Sequence, residues 1–205
     1  MKRNRAFTLI ELLVSIAIFA LMTALLVVKY GNFNSDTLLT DTAYDIALAI
    51  RQAQTAGVSV QSAYNGQFQT AFGVDFNYAS GGNPLNCQAV FSSNTFIYFS
   101  NPTYFNSTPN TNADHCTGGS NPISTYNIQH GAYISSLKYT TPGSSVQNQT
   151  SDLEITFVRP DPAAVIWTYA DSTEHEQTAY ITVSSADGSQ SRTIVVQRSG
   201  QIYVQ

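Results

Sequence analysis

Charge is what this chain has least of. Asp, Glu, Lys and Arg make up 11% of its 205 residues, so its surface owes solubility to abundant Ser, Thr, Asn, Gln and Tyr rather than to ions. Such a surface suits an extracytoplasmic setting. Basic charge is scarcest: nine residues stand against 13 acidic ones, and three of the nine, Lys2, Arg3 and Arg5, precede the first apolar run. Without those three, six basic side chains face 13 acidic ones, a formal charge of −7. Nucleic-acid binding rests on Lys and Arg neutralising several phosphates, so DNA and RNA are disfavoured partners.

Cysteine and histidine are also few. Cys87 and Cys116 show no Cys-x-x-Cys spacing, which argues against a zinc ribbon or a dithiol redox centre. Set among Asn, Ser, Thr and Pro, they read as a disulfide made in an oxidising compartment, with free thiols as the other reading. His115, His130 and His175 stand in no metal-helix or nucleophile motif, and no Gly-x-Ser-x-Gly or phosphate-binding loop occurs. Asp171, Glu174, His175 and Glu176 have the hard oxygens calcium prefers, yet a solvated loop accounts for them. His115 beside Cys116, with Cys87, lacks a fourth ligand for a soft metal. The expectation is a chain that catalyses nothing and holds no cofactor or metal.

There is one long apolar run. Residues 7 to 28 contain a single charge, Glu11, and Leu12 to Val28 contain none. About twenty helical residues at ~1.5 Å each span the ~30 Å hydrocarbon core of a bilayer. The basic residues ahead of it keep the N-terminus cytoplasmic and send the rest across. A cleaved secretory signal has an apolar stretch of only ~7–15 residues ending at a small-x-small site, whereas this run ends at Lys29, Tyr30 and Gly31. A plain signal anchor leaves Glu11 unexplained, because a carboxylate inside an apolar helix costs on the order of 2.5–3.5 kcal/mol. One local reason is a capping box, since Thr8-Leu9-Ile10-Glu11 fits Ser/Thr-x-x-Glu at a helix start.

The segment Arg5-Ala6-Phe7-Thr8-Leu9-Ile10-Glu11-Leu12-Leu13 also resembles the cleavage and methylation motif of the type IV pilin superfamily. The resemblance implies a leader of residues 1–6, cut by a prepilin peptidase between Ala6 and Phe7, and N-methylation of Phe7. Ala6 stands where the family usually has Gly. By the same resemblance Glu11, fifth from the cut, pairs with the Phe7 amine of a neighbouring subunit. That pairing satisfies two groups that are costly to bury alone and fixes the register of helices that otherwise slide. The implied partners are other pilin or pseudopilin subunits, the peptidase, an inner-membrane assembly platform and membrane lipid.

Beyond Gly31 the pattern becomes amphipathic, with Leu38, Leu39, Thr42, Ala43, Ile46, Ala47, Ile50 and Ala53 at three- and four-residue steps. Helix is expected from Phe7 to about Ala56, with a bend near Gly31, a restart capped by Ser35 and a stop at Gly57. From there, short runs rich in Val, Ile, Phe, Tyr and Thr read as strands: Ser59–Ala63, Phe68–Phe76, Thr95–Phe99, Ala132–Tyr139, Leu153–Val158 and Val165–Tyr169. Ala179–Ser184, Thr193–Gln197 and Gln201–Val204, joined by Asp187-Gly188 and Ser199-Gly200, predict a three-stranded antiparallel meander. Residues 79–127 read as a long surface excursion.

The helix segment Ala47-Leu48-Ala49-Ile50-Arg51-Gln52-Ala53-Gln54 and the ending Arg192 to Ile202 are similar to GspH/FimT-type minor pseudopilins. Some related DNA-uptake subunits carry Arg just after a Gly matching Gly200. Here Gln201, Ile202 and Tyr203 follow, leaving Arg192 and Arg198 as isolated charges. The expected architecture is α+β and pilin-like: a membrane and assembly half of the helix at 7–30, an amphipathic half at 31–57, and an antiparallel β-rich extracytoplasmic head at 58–205.

Overall fold

The computed structural model describes residues 8–59, 62, 66, 71–77, 92–101, 121–168 and 177–205. The architecture is α+β: among the described residues one long helix, α1 (Leu9–Val58), precedes ten strands. The fifty residues of α1 run without interruption through Gly31 and Ser35, so the expected restart at Ser35 does not occur. One glycine costs a helix only ~1 kcal/mol, too little to break a segment whose neighbours all propagate the same turn. The chain divides into two compact units at Leu38/Leu39.

In the first unit, every described side chain from Leu9 to Leu26 is exposed. Ser15 and Thr23 return their hydroxyls to the carbonyls of Glu11 and Phe19, at 2.7 and 2.8 Å. Such back-bonding satisfies the hydroxyl inside the helix itself, leaving an outer surface that is apolar almost throughout.

In the second unit, the last turns of α1 bury Leu39, Ala43, Ile46, Ile50, Ala53 and Ala56, steps of three and four that form one stripe. The small alanines bring the helix backbone close to the sheets. Strands β1 (Ala71–Asn77), β2 (Thr95–Asn101), β3 (Asn121–Asn127), β6 (Asp152–Phe157) and β7 (Ala164–Trp167) form one antiparallel sheet in the order β3-β2-β1-β6-β7. Strands β4 (Tyr133–Thr140), β5 (Asn148–Thr150), β8 (Thr178–Ser184), β9 (Ser191–Gln197) and β10 (Ile202–Val204) form a second, in the order β10-β9-β8-β4-β5. Phe72, Val74, Phe76, Leu153, Ile155 and Phe157 of the first sheet join Leu137, Ile181, Ile194 and Val196 of the second and the α1 stripe in one core. Phe96 stacks on Tyr126 with ring centroids 4.9 Å apart and tilts against Phe76 at 5.4 Å.

The C-terminal meander is present, with Ile181 opposite Ile194 and Tyr203 opposite Val195. Its first turn is a loop closed by the Ser185 N–H on the Gln190 carbonyl, and its second turns at Gly200, whose φ of 85° suits glycine.

Three expectations change. Ser59 is no strand residue: its N–H bonds back to the Thr55 carbonyl and closes the end of α1. Gly57 lies inside the last turn of α1 rather than beyond it, and a Cβ there would stand 2.6 Å from the Phe157 carbonyl oxygen. It serves close approach to β6, not termination. Within the expected excursion, Asn121–Asn127 forms strand β3, which among the described residues pairs with β2 alone, an edge position that tolerates Pro122. Residues 60, 61, 63 and 68–70 of the expected strands, and Tyr169, lie outside the described residues.

Candidate assembly site

Thr8 opens α1. Its carbonyl accepts from the N–H groups of Glu11 and Leu12, at 3.1 and 3.2 Å, and its hydroxyl oxygen also accepts from the Glu11 N–H, at 3.4 Å. Glu11 is the acidic residue of the first turn, where the helix dipole favours negative charge. The reciprocal half of a capping box, Glu11 reaching back to the Thr8 N–H, is not formed. Among the described residues nothing donates to the Glu11 carboxylate. Capping therefore uses the backbone of Glu11 and leaves its charge available, on a helix whose neighbouring side chains Leu9, Ile10, Leu12 and Leu13 are all exposed.

Among the described residues one helical stretch, Leu9–Leu26, is long and apolar enough to cross a membrane, and none of it is buried within the chain. An exposed apolar surface of this kind is suited to lipid or to other apolar helices. The family model for the prokaryotic N-terminal methylation motif matches residues 1–27. The N-terminus is a type IV pilin-like prepilin motif. A motif of this kind implies, in general terms, processing by a prepilin peptidase and association with other pilins. Comparison of the whole chain with curated proteins and with solved structures returns no match. Ala6 and Phe7 of the motif lie outside the described residues, as do Cys87, Cys116, His115, Asp171, Glu174, His175 and Glu176.

In the head, the end of α1 is held by hydrogen bonds that no sequence pattern announced. Arg51 Nη2 donates to the Ile202 carbonyl at 2.7 Å. Gln54 Nε2 donates to the carbonyls of Gly200 at 2.9 Å and Pro162 at 3.0 Å. Tyr126 donates its hydroxyl to Gln52 Oε1 at 3.3 Å. A Cβ at position 200 would stand 2.3 Å from the Pro162 carbonyl oxygen and 2.7 Å from Gln54 Nε2, so only glycine admits this contact. The helix segment 47–54 and the chain ending thus meet directly.

Arg192 is the second residue of β9 and Arg198 follows its last. Six strand residues at ~3.3 Å each put them ~20 Å apart, and Arg192 donates to the neighbouring Ser191 carbonyl at 3.1 Å. His130 sits exposed in the turn before β4 with a φ of 60°. Among the described residues no group of three His, Cys, Asp or Glu side chains gathers for a metal. One carboxylate pair does meet: Asp75 of β1 lies opposite Glu154 of β6, both buried, and the Thr156 hydroxyl donates to Glu154 Oε1 at 2.7 Å. No spacing relates the two residues because they meet across strands.

Proposed function

We propose that this chain is a structural subunit, a minor pilin or pseudopilin, of a type IV pilus or type II secretion pseudopilus. The leader 1–6 is removed between Ala6 and Phe7, Phe7 is methylated, and the chain enters a filament through α1. Before assembly it is a single-pass protein of the inner membrane, with its N-terminus in the cytoplasm and its head outside, in contact with lipid and the assembly platform. Residues 7–30 are the membrane and assembly segment, 31–57 the amphipathic continuation, and 58–205 the head. Cys87 and Cys116 are bonded in the oxidising compartment.

The observation that carries this reading is the carboxylate of Glu11, exposed at the start of an unburied apolar helix and unclaimed by its own chain among the described residues. In a bundle of such helices a lone carboxylate and a lone amine are each costly to bury, and pairing removes both costs. The segments 47–54 and 192–202, which resemble GspH/FimT-type minor pseudopilins, meet in the head through Arg51 and Gln54. A DNA-capturing tip module is disfavoured, because Arg192 and Arg198 stand apart at opposite ends of one strand.

The test is Glu11→Ala in cells that express the assembly machinery. The variant should insert and be cut like the wild type, while its recovery in sheared filaments falls sharply. Wild-type recovery in filaments would remove the pairing argument.

A further inference from the structure

The two sheets turn their second faces to different surroundings. Directly opposed residues of an antiparallel pair share a face. Across the sheet β3-β2-β1-β6-β7, Ile97, Asp75 and Glu154 stand in one row on the side away from Val74 and Phe76, and all three are buried. The matching side of β10-β9-β8-β4-β5 is open. There Tyr203, Val195, Tyr180, Lys138 and Gln149 line up across all five strands, on the side away from Ile181, Ile194 and Leu137. Tyr203 is 38% exposed, Tyr180 and Lys138 are half-buried and Gln149 is exposed. Val195, between the tyrosines, is fully buried and forms a low apolar floor with a ring on each side. Two inter-strand spacings hold the tyrosines ~10 Å apart.

The neighbouring row carries Thr182 and Thr193, whose hydroxyls lie 3.1 Å apart. A hydroxyl donates once and accepts twice, so both keep bonding capacity beyond that contact. Among the described residues the hydroxyls of Tyr180 and Tyr203 and the Lys138 ammonium bond to nothing in the chain. Of the strand residues turned this way Lys138 alone is charged. One cation neutralises too few phosphates to hold a nucleic acid, and a net acidic chain repels polyanions. Aromatic rings, neutral hydroxyls and an amide suit a ligand of like makeup, whose C–H-rich ring faces lie on tyrosine while its hydroxyls meet the polar rows. Pyranose chains have that makeup, and a straight row of sites favours β-linked chains, which stay extended, over α-linked glucans, which coil.

We propose that this face binds a neutral, extended β-linked polysaccharide. Tyr180 and Tyr203 lie under alternate sugar rings, Val195 under the ring between them, and Thr182, Thr193 and Lys138 bond to sugar hydroxyls. The proposal concerns the head alone and does not depend on the filament reading.

The experiment runs the full chain, in detergent, through native gels cast with soluble hydroxyethylcellulose, xylan or glucomannan, with α-linked dextran and the polyanion alginate as controls. At least one of the three β-linked polymers should retard the chain, and neither control should. Tyr180→Ala and Tyr203→Ala should each weaken the retardation about tenfold, while Tyr203→Phe, which keeps the ring, retains most of it. On the unaltered chain, bound polymer should also suppress nitration of Tyr203 by tetranitromethane, a readout that needs no variant to fold. Unchanged mobility in all three polymers would overturn the proposal. So would retardation as strong in dextran or alginate, retardation that survives loss of both rings, or nitration of Tyr203 unaffected by bound polymer.

Discussion

Glu11 and Thr8 divide the work of the helix start between them. Thr8 satisfies backbone donors, while the Glu11 carboxylate stays uncommitted, which is why Glu11→Ala is expected to spare insertion and processing and to impair assembly. Two other residues, both in the head, titrate away from their ordinary values. Burial pushes the Tyr98 phenol up to about 12, helped by Tyr126 beside it. A folded value above the ordinary one means that folding favours the neutral phenol. Its contribution is complete below pH 10.0 and is lost as pH rises through about 12. Alkaline unfolding followed by tyrosinate absorbance should show late ionisation coupled to loss of the head, and Tyr98→Phe should remove that step. At the acid end, the Ser185 hydroxyl, then the Ser189 N–H and hydroxyl, hold Asp187 down at about 2. This stabilisation is present above 3.8 and is lost as pH falls through about 2. Asp187→Asn should flatten the acid limb of the stability curve, and an unchanged limb would show that the loop does not report on folding.

The helix and the sheets meet through alanines, one isoleucine row and two glycines, and substitutions there test the packing. Ile50 is fully buried, so Ile50→Ala should cost about 2–5 kcal/mol. Gly57→Ala would ordinarily favour a helix by ~1 kcal/mol. Here the added methyl meets the Phe157 backbone at 2.6 Å, and a net loss of about 1–3 kcal/mol is expected in denaturant unfolding of the detergent-solubilised chain. These elements were unequally legible beforehand. The stripe from Leu39 to Ala53 and the hairpins around Gly188 and Gly200 follow from periodicity and turn chemistry, which are local. Strand β3 has Ile123, Thr125 and Tyr126 as strand formers, but Asn, Pro and Ser break up the run, and it forms where β2 offers it a partner. The closeness of Gly57 to Phe157 and the Gln54 bonds join residues about a hundred or more positions apart, so no sequence window contains them.

Taken whole, the molecule pairs a head with its own core and an apolar helical segment that buries nothing within the chain. That contrast is readable from composition alone, because residues 12–28 carry no charge and the remainder alternates in short runs. What sequence could not supply is the row of side chains across the second sheet, which depends on how its five strands pair. The account stands first on the fate of the N-terminus, and the direct measurement is the mass of the N-terminal peptide of protein recovered from membranes containing a prepilin peptidase. A peptide beginning with N-methylated Phe7 is the predicted result. One beginning at Met1, or a mature chain starting near Tyr30, would contradict it.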